Sequence, residues 1–220
     1  MTLPTLEFAA PSDAEDRNLL ILLPGADMTA RDFAEHDFIC PVQRQNATID
    51  VLCVDSSVDL YLENTIVEEL HELIVPAARP RRKLWLAGIS LGGMGALLYA
   101  KAYPGTVEGI ILLSPYLGAR GIVDEVETSG GLDEWSRVPD EDQSSDRVFL
   151  RWLAHTCRAR AKPWLHLGYG RGDRFVGAHK MLANSLSPTQ VTAREGAHDW
   201  PTWQALWQDI ILGDPFVVRR

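Results

Sequence analysis

Lys83-Leu84-Trp85-Leu86-Ala87-Gly88-Ile89-Ser90-Leu91-Gly92-Gly93-Met94-Gly95-Ala96-Leu97-Leu98-Tyr99-Ala100-Lys101-Ala102-Tyr103 is the stretch on which the reading of this chain turns. Lys83 to Ile89 is a short apolar run that reads as a buried strand, and Leu91 to Tyr103 reads as a helix. Ser90 falls at the junction. Gly88-Ile89-Ser90-Leu91-Gly92 fits G-x-S-x-G, a pattern that a chain of this composition yields by accident roughly 0.06 times. Its place between strand and helix adds to that, because so abrupt an entry into a helix forces a strained turn that holds the serine out above the sheet. Gly88, Gly92 and Gly93 let neighbouring backbone pass close to the turn. The hydroxyl also sits at a helix N-terminus, where free N–H groups favour developing negative charge.

Outward from this junction, β-rich runs alternate with helical ones. Leu19 to Leu23, Thr48 to Val54, Val107 to Leu113 and Trp164 to Leu167 read as further strands, with Thr189 to Ala193 a weak sixth and Leu6 to Ala9 an edge strand. Leu60 to Ala77 and Ala178 to Leu186 carry apolar residues at helical spacing. Parallel strands need crossovers and helices supply them, so the expected fold is α/β: a mostly parallel central sheet of about six strands with helices on both faces. Residues 119–162 break the rhythm. From Arg120 to Asp146 there are nine acids and two bases, and from Arg147 to Lys162 five bases and no acid. That pattern reads as an acidic loop followed by a basic helix, a lid within one domain spanning 1–220.

The chain has 220 residues, of which 46% are hydrophobic and 23% charged, so it can bury a core without metals or disulfides. Thirty acids against 21 bases give a net charge of −9, which removes the electrostatic attraction that nucleic acid or an anionic membrane would need. Cys40, Cys53 and Cys157 form neither a disulfide framework nor a zinc spacing. The N-terminal stretch carries Glu7, Asp13, Glu15 and Asp16 and no apolar core of a signal peptide. Leu84 to Ala100 is free of charge but contains four glycines and divides into strand, turn and helix rather than a bilayer span. A cytoplasmic protein is expected.

A serine hydroxyl is a weak nucleophile and needs a base, itself oriented by a third group. Six histidines are available. His198, in Glu195-Gly196-Ala197-His198-Asp199-Trp200-Pro201, stands in a loop after the last strand and before a helix that Pro201 can open. His166 lies within a strand, His71 and His179 within helices, His36 in an early loop or helix and His155 in the lid helix. For the orienting acid, Asp173 in Gly170-Arg171-Gly172-Asp173 follows the strand that begins at Trp164. Asp124, Asp133 and Asp146 fall in the lid, and Asp199 adjoins His198 too closely to reach its ring. An oxyanion formed at Ser90 needs preorganised donors, for which the Leu91 N–H is one. The Leu22-Leu23-Pro24-Gly25-Ala26-Asp27 segment supplies the other, where Gly25 suits the sharp turn that aims the Ala26 amide inward. Trp203, Leu206, Trp207 and Ile210 recur at helical spacing and read as core. Trp200, beside His198, and Tyr116, after Leu113-Ser114-Pro115, are candidate substrate contacts.

These motifs together resemble the α/β-hydrolase superfamily, and within it the small bacterial esterases of the esterase D and tributyrin esterase type. The likeness is carried by Gly88 to Leu97, Leu22 to Gly25, Gly170 to Asp173 and Gly196 to Trp200. It implies Ser90 as nucleophile, Asp173 as acid, His198 as base, oxyanion amides at Ala26 and Leu91, no cofactor and no metal, and short acyl esters as substrates. Relatives commonly carry His before the glycine of the oxyanion loop, whereas this chain has Pro24; Ala26 is favoured over Asp27 as the second donor. The leading expectation is an ester-cleaving serine hydrolase working through an acyl-enzyme. Thioester cleavage or acyl transfer by the same residues is an alternative, as is a hydrolase fold that binds a ligand without chemistry.

Overall fold

A computed structural model describes residues 3–12, 17–77, 82–139, 142, 144–159 and 162–216. At its centre β4 (Leu84–Ile89) is buried at every position, between β2 (Asn18–Leu23) and β5 (Gly109–Leu113). Beyond β2 lie β3 (Ile49–Val54) and β1 (Thr5–Phe8), and beyond β5 lie β6 (Trp164–Gly170) and β7 (Val191–Arg194). The order is β1-β3-β2-β4-β5-β6-β7, with β1 antiparallel to β3 and the other pairs parallel. The described sheet thus has seven strands rather than about six, because the edge segment near Leu6 pairs along its full length with β3.

The central strands read as unbroken apolar runs because both faces are covered. Leu19, Ile21, Leu23, Leu84, Leu86, Ile110 and Leu112 face one core; Leu20, Leu22, Trp85, Ala87, Ile89, Ile111 and Leu113 face the other. The first core is closed by α4 (Ile66–Ala77), α5 (Leu91–Ala102), α6 (Arg120–Thr128), α7 (Leu132–Arg137), α8 (Ser145–Ala159) and α9 (Val176–Ala183). The second is closed by α1 (Ala30–Glu35), α2 (Ile39–Gln45) and α10 (Trp200–Leu212), with Trp203, Leu206, Trp207 and Ile210 buried on the sheet. Gly109 belongs to this packing: the Trp85 ring occupies the space that a β-carbon there would need.

Three local expectations are corrected. The helix expected from 60 to 77 is split into α3 (Val58–Leu62) and α4, with Asn64 left-handed between them (φ 58°). The helix expected over 178–186 runs instead from Val176 to Ala183. Within 119–162, whose residues 140, 141, 143, 160 and 161 lie outside the described ones, the acidic half is helical. Val123, Val126, Leu132 and Trp135 turn inward and give α6 and α7 a buried face. Acid and base also meet: Arg147 pairs with Glu125 (2.5 Å) and Asp142, and Arg158 with Asp133 (2.6 Å). Glu125 also accepts from the Trp135 indole (2.8 Å), and the Arg151 guanidinium lies 4.8 Å over that ring.

His166, in the middle of β6, sets a pH limit on stability. Its Nε2 meets the Thr192 hydroxyl at 3.1 Å, and burial pushes its pKa from 6.5 down to about 4. The unfolded chain therefore takes up a proton first as pH falls, and folding stability is lost between pH 6.5 and about 4. We expect His166→Gln to remove about 2–3 kcal/mol of that loss. Urea denaturation at pH 7 and pH 4.5 measures it, and an equal slope in both proteins would contradict it.

Candidate active site

Ser90 caps α5 with φ 52° and ψ −112°, a conformation that an L-residue adopts only when its surroundings enforce it. Those surroundings are backbone. A β-carbon on Gly88 would overlap the Gly92 carbonyl, one on Gly92 would overlap the carbonyl of Leu23, and one on Gly93 would come within 2.9 Å of the Pro115 Cβ. The end of β4, the first turn of α5, the loop after β2 and the loop after β5 thus meet at van der Waals contact. The Ser90 N–H donates to Leu113 O (2.9 Å), and its carbonyl accepts from Tyr116 N–H (2.9 Å).

His198 lies in the loop between β7 and α10, which is tied down on two sides. Asp199 caps α10 by accepting from the Thr202 N–H (3.1 Å) and hydroxyl (2.6 Å), while the same hydroxyl accepts from Ala197 N–H (3.0 Å). Gly172 N–H donates to Gly196 O (2.8 Å), and a β-carbon on Gly170 would stand 2.5 Å from that oxygen. The loop after β6, which carries Asp173, is therefore pressed directly against the loop carrying His198.

The consequence is a continuous chain of contacts. His198 Nδ1 lies 2.8 Å from Asp173 Oδ2, and its Nε2 lies 3.0 Å from Ser90 Oγ. A carboxylate only accepts, so Nδ1 carries the proton and Nε2 offers its lone pair to the Ser90 hydroxyl. The rings of Phe175 (5.2 Å, 82°) and Trp203 (5.0 Å, 86°) stand edge-on to the imidazole and limit its rotation. Asp173 is 3% exposed, and burial by itself would raise its pKa. The bonds from His198 and from Phe175 N–H to Oδ1 (2.8 Å), with lesser contributions from Ser114 and His179, outweigh that and hold it below the ordinary carboxylate range.

In the loop after β2, residues 25–28 form a turn closed from Met28 N–H to Gly25 O at 3.4 Å, and Asp27 within it has a positive φ of 61°. What Gly25 contributes is the lack of a β-carbon, which would lie 3.4 Å from the Ser90 Cβ and 3.1 Å from Met28 Sδ. Its own N–H donates to that sulfur (3.3 Å), while no described acceptor engages the Ala26 or Leu91 amides. Leu91 opens α5, where the N–H has no intrahelical partner.

Tyr116 sits beside Phe175 (5.8 Å between rings), one ring removed from the imidazole. Burial and the nearby Asp146 of α8 push its phenol upward. Trp200 lies further out, stacked on His36 at 4.0 Å and packed among Phe33, Phe38 and Trp203. Sequence reasoning did not find Phe175; its signal was an aromatic two residues after Asp173. Among the described residues no group of three or more His, Cys, Asp and Glu side chains is placed to hold a metal ion. No described helix is long and apolar enough to cross a membrane.

The model of a protein family described as putative esterase matches residues 55–212, which include Ser90, Asp173 and His198. This chain belongs to that family. Over 155 residues it is 26% identical to an acetyl esterase of Caldicellulosiruptor saccharolyticus, covering 65% of this chain and 58% of that protein. The chain thus spans little more than half the length of that curated relative. Among solved structures it is similar to the S-formylglutathione hydrolase of Staphylococcus aureus (TM-score 0.69, 14% identity, 96% of this chain and 98% of that one). It is also similar to Est1E of Butyrivibrio proteoclasticus (TM-score 0.63, 19% identity, 95% and 91%). The esterase family and these likenesses identify the fold as the α/β-hydrolase fold.

Because the Gly92 site has no room for a methyl against the Leu23 carbonyl, we expect Gly92→Ala to cost about 2–4 kcal/mol of folding stability. Denaturant midpoints measure this; an unchanged midpoint would mean that the loop after β2 yields freely.

Proposed function

We propose that this member of the esterase family cleaves carboxylic esters with short acyl groups through an acyl-enzyme on Ser90. The observation that carries the reading is the chain of contacts from Ser90 Oγ to His198 Nε2 (3.0 Å) and from Nδ1 to Asp173 Oδ2 (2.8 Å). As Ser90 attacks the acyl carbon, His198 takes its proton and Asp173 stabilises the imidazolium so formed. The Leu91 and Ala26 amides receive the oxyanion. Collapse of the tetrahedral intermediate expels the alcohol, which leaves with the proton from Nε2. Water then enters with His198 as its base, attacks the acyl-enzyme and releases the acid and Ser90. The likeness to an acetyl esterase supports the short acyl group. Residues 119–162 serve as the cap of a single domain, with the Asp146 end of α8 acting on Tyr116 at the mouth. The protein works in the cytoplasm, where Cys40, Cys53 and Cys157 remain free thiols.

With p-nitrophenyl acetate, Ser90→Ala should lower kcat/KM by about 10⁴-fold or more and end labelling by a fluorophosphonate probe. Labelling that survives the substitution would remove Ser90 from the mechanism. Asp173→Asn, which keeps the shape but offers Nδ1 no acceptor charge, should lower kcat by about 10³–10⁴-fold. Across a series of p-nitrophenyl esters, two to four acyl carbons should be preferred, and a long-chain preference would contradict the short-acyl reading.

A further inference from the structure

Two buried polar groups that the steps above do not use, Ser114 and His179, belong to the stretches next to the one that carries Asp173, joined to each other through Pro115 O on His179 Nε2 and to β6 through Ser114 N–H on Gly168 O. Ser114 follows β5 directly, is fully buried, and donates its N–H to Gly168 O of β6 at 2.8 Å. Its φ of 46° is left-handed, where glycine fits at no cost and serine does not. Among the described residues one other serine at a strand end has a positive φ, Ser90. A strained, buried serine is retained where its hydroxyl has a task. That hydroxyl has no described partner at direct hydrogen-bonding distance, an unfavourable state for a buried polar group.

His179 cannot be the donor that Asp173 still has room for. Its Nε2 lies 3.1 Å from the Pro115 carbonyl, which only accepts, so Nε2 holds the proton and the buried Nδ1 is an acceptor without a partner. Burial keeps this imidazole neutral. Asp173 meanwhile receives Phe175 N–H on Oδ1 and His198 Nδ1–H on Oδ2, and a carboxylate can accept more. The loop that begins at Ser114 runs against the segment that carries Asp173, with Tyr116 packed on Phe175 (5.8 Å between rings) and Pro115 O on His179, and a Ser114 hydroxyl turned to the carboxylate would act in the same direction as those two bonds, lowering its affinity for a proton.

We propose that Ser114 is a positioning residue whose hydroxyl turns onto the Asp173 carboxylate as a third donor, keeping it ionised and aimed at His198 Nδ1. The need is greatest when His198 has taken the Ser90 proton. The bond between imidazolium and carboxylate is then at its strongest, and a third donor keeps the proton on nitrogen rather than letting it pass to Asp173. The inference rests on the reading of Asp173 as the acid that orients His198.

Ser114→Gly separates this role from a structural one, because glycine removes the hydroxyl and relieves the left-handed strain together. We expect Ser114→Gly to melt at or above the wild-type Tm, yet to lose about tenfold in kcat on p-nitrophenyl acetate with KM unchanged. Ser114→Ala, which keeps the strain, should show the same loss of kcat. In both variants the low-field proton resonance of the His198–Asp173 hydrogen bond should move. A purely structural serine predicts the reverse: a more stable glycine variant with wild-type kcat and an unmoved resonance, and that result would overturn the proposal. If wild type turns over no ester, the esterase reading fails, but the resonance still decides the role of Ser114 in either direction.

Discussion

The tightest constraint in this molecule is steric. Beside Ser90 four stretches of main chain pass closer together than any side chain would permit, and Gly88, Gly92 and Gly93 are the residues that let them do so. This crowding holds Ser90 in its left-handed turn. It also brings the Pro24-Gly25-Ala26 loop over the start of α5 and sets the Pro115 loop against α5. Ser90, the Ala26 and Leu91 amides and the loop carrying Ser114 are thus positioned by one packing event. His198 and Asp173 are fixed by a second of the same kind, the contact of Gly170 and Gly172 with Gly196.

Much of this was legible in the sequence because it follows from local rules. The strand, turn and helix around Ser90 announce themselves through an apolar run, a glycine-flanked serine and helical spacing. The continuous apolar character of β2, β4 and β5 implied a sheet covered on both faces, and two core clusters occupy those faces. Chain order together with their places in loops directly after strands singled out Asp173 and His198, which the folded chain brings within 2.8 Å of each other.

What escaped the sequence depends on distant partners. The acids of 119–146 looked like a solvated loop because their density of charge masks Val123, Val126, Leu132 and Trp135. Only the arrival of Arg147 and Arg158 on α8 shows why those acids tolerate helices. The sequence pointed to a sharp turn at Gly25 but not to the positive φ at Asp27 within it. Phe175, Ser114 and His179 carry no motif; their meaning comes from what lies across the loops from them. Cross-sheet contacts of this sort have no signature in a single sequence.

The central claim is covalent: an acyl group passes through Ser90 Oγ. Rapid acid quench of the protein with p-nitrophenyl acetate, followed by proteolysis at Lys83 and Lys101 and mass spectrometry, tests it directly. The account predicts one added acetyl group on the peptide Leu84–Lys101, located at Ser90 and lost as deacylation proceeds. Ester turnover with no acetyl on that peptide, or with acetyl on another residue that forms and decays at the rate of turnover, would contradict it.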